Sequence, residues 1–284
     1  MVVTDSTAYL PDELAAGHGI HQVSLYVTLE GEQRREADIR PDEYGNFYER
    51  LRASDEGATT SQPSVGDFVA VYEPLLAEGA EIVSIHLSAG ISGTCDSARR
   101  ASDQLAADGR ERIHVVDSRT AGGGAAFLVL VAAHAAAAGA SATEAVEAAQ
   151  RARESLQIWF AVDTLEYLRK GGRIGGAQAL LGSALQVKPI LTLGEEVAPV
   201  ERVRTRRRAF ERLVEYARER QRDGAGTWIV QHISDHDRAE RLVAECREIF
   251  GSDPVFVSEI GPVIGVHAGP GLLGVGGITT GLLD

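Results

Sequence analysis

The sequence predicts an α/β fold in two domains: an N-terminal doubly wound parallel sheet over 1–156 and a C-terminal α/β domain with a mixed sheet over 157–284, with the ligand site at their interface. Three observations lead there. At 284 residues the chain exceeds the usual single domain and can bury a large core. Between 82 and 138, short β-branched runs alternate with polar loops and helical stretches, the pattern of parallel strands joined by crossover helices. After the charged helix at 142–155 the chain restarts with a strand at 158–162, which sets the boundary.

The elements follow in order. Val2, Val3 and Thr4 form the stump of a buried strand ending at Asp5-Ser6-Thr7, with a shortened edge expected there, and Pro11 opens a short helix. Val23, Leu25, Val27 and Leu29 alternate with more polar neighbours, as in one strand with a single buried face. Tyr44, Phe47, Tyr48 and Leu51 have helical spacing within 41–52. Thr59 to Ser64 reads as a polar loop, with Ser64 capping the next helix. A strand at 82–87 leads through the loop Ser88-Ala89-Gly90-Ile91-Ser92-Gly93-Thr94 to another helix. The strand at 113–116 ends at Asp117-Ser118, before Gly122-Gly123-Gly124 and an alanine-rich buried helix. In parallel sheets ligands gather at the carboxyl ends of strands, where Asp5-Ser6, Ser92 and Asp117-Ser118 all fall.

In the second half, an amphipathic turn at 165–175 is broken by Gly171-Gly172. Strands at 188–191 and 197–203 meet at Gly194. Phe210, Leu213, Val214 and Ala217 form the apolar stripe of an arginine-rich helix. A strand at 228–233 precedes a helix that buries Ala239, Leu242, Val243 and Cys246. The strand at 255–257 is the last clear one. The closing stretch, 261–274, carries five glycines and two prolines around His267, a density that suggests backbone shaped around a ligand rather than a regular element.

Composition narrows the function. Hydrophobic content of 44% and charged content of 24% are those of a globular protein, and a net charge of −13 argues against nucleic-acid or anionic-membrane binding. Two cysteines cannot build a disulfide framework or a cysteine zinc site. The N-terminus lacks the pattern of a signal peptide, so the cytoplasm is expected. Gly269 to Gly274 matches the dinucleotide fingerprint formally, but too little chain follows for a βαβ unit. No P-loop occurs. Ser92 stands in Gly90-Ile91-Ser92-Gly93, without the spaced glycine of a nucleophile elbow. His232 and His236 have metal-like spacing with no third ligand evident, so no metal is expected.

What remains is a set of hydroxyls and cations: Thr60, Ser61, Ser92, Thr94, Arg173 and His267. Thr60-Ser61-Gln62-Pro63-Ser64, Ser92-Gly93-Thr94, Lys170-Gly171-Gly172-Arg173-Ile174, Lys188-Pro189-Ile190-Leu191, Val203-Arg204-Thr205 and Gly265-Val266-His267-Ala268-Gly269-Pro270-Gly271 together resemble, in order, the signature motifs of the DegV family of fatty-acid-binding proteins. The resemblance runs from Asp5-Ser6-Thr7 to Gly274 and departs at Cys95, where the family usually has an aromatic residue.

The resemblance implies a two-domain carrier that holds one long-chain fatty acid in a tunnel. It implies no catalysis by the chain itself and no cofactor. The carboxylate is presented to a separate fatty acid kinase for acyl-phosphate formation in phospholipid metabolism, with only transient membrane contact for lipid exchange. Thr60, Ser61, Ser92, Gly93 and Thr94 are expected around the carboxylate, and Arg173, His267 and Arg204 near it or in kinase coupling. Gly171, Gly172, Gly269 and Gly271 shape the backbone. The rival reading is a small-molecule serine hydrolase using Ser92 and His267. Arg202, Arg204, Arg206, Arg207 and Arg208 form a local basic run suited to docking an acidic partner. No motif encodes a preference for chain length or unsaturation.

Overall fold

The computed structural model describes residues 1–54, 56–106, 112–181 and 187–283. The first half runs β1 (Val2–Asp5), α1 (Asp12–Gly17), β2 (Ile20–Val23), β3 (Tyr26–Leu29), β4 (Glu32–Arg35), α2 (Tyr44–Ala53), β5 (Ala58–Ser61), α3 (Val65–Ala77), β6 (Ile82–His86), α4 (Thr94–Leu105), β7 (Ile113–Asp117), α5 (Gly123–Ala137) and α6 (Ala142–Ser155). The second half runs β8 (Gln157–Ala161), α7 (Glu166–Lys170), β9 (Lys188–Leu193), β10 (Val197–Val203), α8 (Arg206–Arg222), β11 (Ala225–His232), α9 (His236–Phe250), β12 (Val257–Glu259), α10 (Pro262–Ala268) and β13 (Leu273–Thr279).

Strands β2-β1-β6-β7 form an all-parallel sheet. Its residues alternate as strand geometry requires. Val3, Ile82 and Ile113 pack toward α3 and α4, while Val2, Val83 and Ile85 pack toward α5 and α6. Helices on both faces make this the doubly wound half. A second sheet, β10-β9-β8-β13-β11-β12, is antiparallel except for the β11–β12 pair, and so is mixed. Its one face carries α8 and α9 on Leu273, Val275, Trp228 and Val230. From its other face, Ile229 and Ile278 join the apolar cluster of α5 and α6. These two helices are therefore packed between the sheets, which explains why α5 is apolar all round: eleven of its residues are buried, from Gly123 to Ala133.

Sequence reading fails at four places. The alternation from Val23 to Leu29 is two strands. Val23 ends β2 beside Asp5, and Tyr26 begins β3 in a separate antiparallel sheet, β4-β3-β5. The break is held by Ser24, whose Oγ accepts Ala37 N–H at 3.0 Å, and by Leu25, whose N–H donates to Ser6 Oγ at 3.1 Å. Thr59 to Ser61, expected in a loop, belong to β5, paired with Tyr26 to Thr28. Polar side chains gave no strand signal there because this sheet buries only one face. The glycine-rich stretch at 261–274 is mostly regular: α10, with Pro262 in its first turn, and the start of β13. Its glycines make room for neighbours, as at Gly265, where a Cβ would overlap the Tyr48 ring. Finally, β1 is no edge, since it pairs with both β2 and β6. Among the described residues no helix is long and apolar enough to cross a membrane.

Candidate functional site

Helix α10 places the site. Its first turn is fastened to the N-terminal half by a buried carboxylate, Glu36. Glu36 Oε1 accepts Val263 N–H and Tyr9 Oη–H, both at 2.7 Å, and Oε2 accepts Ser6 Oγ–H at 2.6 Å. Tyr9 Oη also accepts Ile264 N–H at 3.1 Å, and Tyr48 Oη–H donates to Ile260 O at 2.7 Å. Burial, opposed by these hydrogen bonds, lifts the Glu36 carboxyl to about 7. With its start fixed, α10 carries His267 in its last turn.

His267 Nε2 lies 2.8 Å from Thr60 Oγ1 of β5, and its Nδ1 is buried without a partner. A buried N–H without an acceptor is rarer than an unfilled lone pair, so the tautomer assigned here carries the proton on Nε2 and donates it to Thr60. Thr60 is then free to point its own hydroxyl hydrogen at a ligand. Burial, and secondarily the charge of Arg173, pushes the imidazole down to about 4. In the free site His267 is a neutral group at pH 7 rather than a cation. Gly171 lies against its ring, where a Cβ would overlap Nδ1. The Arg173 guanidinium is exposed and donates from Nη1 to Gly171 O at 2.7 Å.

Thr60, Ser61, Ser92, Arg173 and His267 border one cavity of about 330 Å³, within the usual range for a small-molecule site. Apart from these groups, Gln62 and Gln231, the wall is apolar: Leu25, Leu87, Ile91, Ile158, Phe160, Leu168, Ile229, Val263 and Ile264 among others. A larger, more polar cleft of about 880 Å³ beside β7 contains none of the expected site residues.

Other expected residues stand further out. Thr94 is buried at the start of α4 with its Oγ1 2.8 Å from Ser92 Oγ, so it orients Ser92 without lining the cavity. Gly93 leaves room for the Gln62 amide. Gly172 stands in the turn after α7, with open space where a Cβ would be. Gly269 and Gly271 both take positive φ, 77° and 92°, and their missing side chains make room for the Tyr167 ring and the Asp163 carboxylate. Arg204 is exposed beyond β10 and outside the cavity wall. The basic run is largely neutralised within the chain. Arg206 pairs with Asp163, Arg207 with Glu211 at 3.3 Å, and Arg208 with Glu211 at 3.3 Å and Glu215 at 3.1 Å. Cys95 packs its buried thiol 3.6 Å from Leu87 O, and burial pushes that thiol up to about 12.

Sequence reading missed Gln62 and Gln231 in the cavity wall and Glu36 behind it. Gln62 lies inside a motif singled out for its hydroxyls. Nothing in the sequence ties Glu36 to a helix 227 residues away.

The geometry does not assemble a hydrolase. Ser92 bonds Thr94 and His267 bonds Thr60, and no hydrogen bond joins Ser92 to His267. A chain of Tyr72, Ser84, His86 and Asp5 is hydrogen-bonded through 2.6, 2.7 and 3.1 Å contacts, but its members, on α3, β6 and β1, are buried and do not line the site cavity. Among the described residues no group of acidic, histidine or cysteine side chains could hold a metal. His232 Nε2 and His236 Nδ1 contact each other at 3.2 Å.

Fold and site thus define a three-sheet α/β binding protein whose cavity is lined mainly by apolar side chains, with the hydroxyls of Thr60, Ser61 and Ser92 in its wall. A family profile described as "Uncharacterised protein, DegV family" matches residues 1–280, and the chain belongs to the DegV family. It is 42% identical over 278 residues to a DegV domain-containing protein of Streptomyces coelicolor, covering 96% of each chain. Among solved structures it is similar to a fatty-acid-binding DegV family protein from Thermus thermophilus, with a TM-score of 0.88, 34% identity and 98% and 99% of the two chains covered. It is also similar to a stearic-acid-binding protein from Eubacterium ventriosum, with a TM-score of 0.88, 26% identity and 98% and 97% covered.

Proposed function

We propose that this chain holds one long-chain fatty acid with its alkyl tail in the aliphatic cavity and its carboxylate against Thr60 and Ser92, and presents that carboxylate to a separate fatty acid kinase. The observation that carries the reading is the cavity's lining: hydroxyls and one buried imidazole in a wall that is otherwise apolar apart from Gln62, Gln231 and Arg173. Similarity to fatty-acid-binding relatives supports it.

The energetics fit such a ligand. About 0.8 kcal/mol per buried methylene gives roughly 10 kcal/mol gross for a dozen, before the costs of association. A buried carboxylate requires donors, or it takes up a proton instead. Thr60, polarised by His267, and Ser92, oriented by Thr94, supply them. Hydroxyls hold a carboxylate without the tight ion pair that a buried arginine would form, so the same end accommodates an acyl phosphate after transfer. Ser61 lies in the same wall, while Gly93 and Thr94 act by shaping the Ser92 loop. Arg173, exposed at the mouth, and Arg204, outside it, are assigned to kinase coupling.

The test loads wild type, Thr60→Ala/Ser92→Ala and His267→Ala with one labelled fatty acid, measures retention, and then adds the cognate kinase and ATP. The double variant is expected to lose affinity, and His267→Ala to retain most binding while losing most phosphorylation. Phosphorylation of His267→Ala at the wild-type rate removes the role given to His267.

A further inference from the structure

Strand β13 crosses the second sheet between β8 and β11, and its residues alternate in the faces they present. Leu273 and Val275 pack toward α8 and α9 with Trp228 and Val230. Gly274, Gly276 and Ile278 therefore point the other way, toward α5 and α6. Register sets each glycine between two side chains of the neighbouring strands. Gly274 lies between Phe160 and Gln231, and Gly276 between Ile158 and Ile229. All six line the cavity.

Two successive ranks thus have bulky side chains on the flanking strands and none on the middle one, which leaves a furrow one side chain deep along β13. The Gly274 end of the furrow is the nearer to His267 along the chain, and Ala268 and Leu272 between them also line the cavity. It is narrow at Gly276, where a Cβ would stand 2.7 Å from Ile158 Cγ1. The next residue on the same face is Ile278. It is fully buried among the side chains of α5 and α6 and does not line the cavity.

We propose that Gly274 and Gly276 form the floor of the acyl-chain channel and that Ile278 ends it, so that this face of β13 sets the length of chain accepted. The proposal rests on the fatty-acid reading above and deepens it. One rank spans two strand residues, about 6.7 Å. A carbon–carbon bond of about 1.52 Å with a bond angle near 111° advances roughly 1.25 Å per carbon, so one rank holds about five carbons of an extended chain. Filling the rank at Gly276 displaces about four of them. At about fourfold in affinity per methylene, four of them move the preference by roughly 250-fold toward the shorter acid.

The experiment measures competition by saturated fatty acids of twelve, fourteen, sixteen and eighteen carbons against a fluorescent fatty acid. It compares delipidated wild type, Gly276→Val, Ile278→Ala and Val230→Ala. Gly276→Val is expected to shift the eighteen-to-twelve-carbon affinity ratio at least tenfold toward the shorter acid. Ile278→Ala, which lengthens the furrow, shifts it toward the longer acid and keeps the proposal testable if the valine variant fails to fold. Val230→Ala, on the α8 and α9 face of β11 and outside the cavity wall, leaves the ratio within threefold of wild type. If the folded variants at 276 and 278 keep the wild-type ratio within threefold, or shift it in the reverse sense, the channel assignment is overturned. A wild type that binds none of the four acids instead defeats the fatty-acid reading, and the channel with it.

Discussion

Glu36 is 3% exposed, accepts three hydrogen bonds and faces no cation, and burial raises its carboxyl to about 7. An unfolded glutamate releases its proton near 4.3, so between that pH and about 7 the folded protein holds a proton that the unfolded chain has lost. Stability from this group is therefore fully present below about pH 4, falls as pH rises and levels off above about 7. At about 1.36 kcal/mol per pH unit, the loss between pH 5 and 8 comes to roughly 2 to 3 kcal/mol. His267 has the opposite slope. Its buried imidazole is depressed to about 4, so its contribution grows as pH rises from about 4 to 6.5. The two partly cancel in wild type, and the informative quantity is the difference between wild type and Glu36→Gln. Glutamine keeps a carbonyl for Tyr9 and Val263, and Ser6 Oγ can turn to accept from the amide. Urea denaturation of both proteins from pH 5 to 8 is expected to show wild type losing about 2 to 3 kcal/mol relative to Glu36→Gln across that range. A difference that stays constant within about 0.5 kcal/mol refutes the view that Glu36 is a buried, cation-free carboxylate fastening α10.

Thr60→Val keeps the shape of the side chain and removes its hydroxyl, so fatty-acid affinity, followed by calorimetric titration, is expected to fall by about 1 to 3 kcal/mol. Gly171→Ala puts a methyl group onto the His267 ring and is expected to weaken binding, as read by fluorescence competition. Arg204→Glu is expected to slow association with the kinase strongly at low salt while leaving lipid binding intact, as read by surface plasmon resonance at two ionic strengths. Arg206→Glu, by contrast, is expected to lower thermal stability, because Arg206 is a partner of the Asp163 carboxylate that also pairs with Lys188 at 3.3 Å.

The sequence was most legible where one physical rule acted alone. Period-2 alternation and crossover helices identified the parallel sheet, and Ser64 capped α3 as its side chain required, accepting Asp67 N–H at 3.2 Å. It was least legible where pairing partners change without a change in pattern. From Val23 to Leu29 the alternation is unbroken, yet the hydrogen bonds pass from β1 to β5. The closing glycines misled for a related reason. Glycine density signals close approach, but Gly265, Gly269 and Gly271 are approached by Tyr48, Tyr167 and Asp163, while Gly274 and Gly276 line the cavity. The site hydroxyls were legible as a set, through family motifs. The charge state of His267 was not, since it depends on burial by Gly171 and Thr60, which lie 96 and 207 residues away in the chain.

The claim that a carboxylate sits on the Thr60 and Ser92 side of the cavity is tested most directly by the ¹³C resonance of carboxyl-labelled stearate bound to delipidated protein. One saturable bound resonance is expected at one lipid per chain, displaced from that of the free acid. It should move in Thr60→Val and Ser92→Ala and stay in place in Val230→Ala, which lies outside the cavity wall. The absence of a saturable bound resonance, or one that neither hydroxyl substitution moves, contradicts the account.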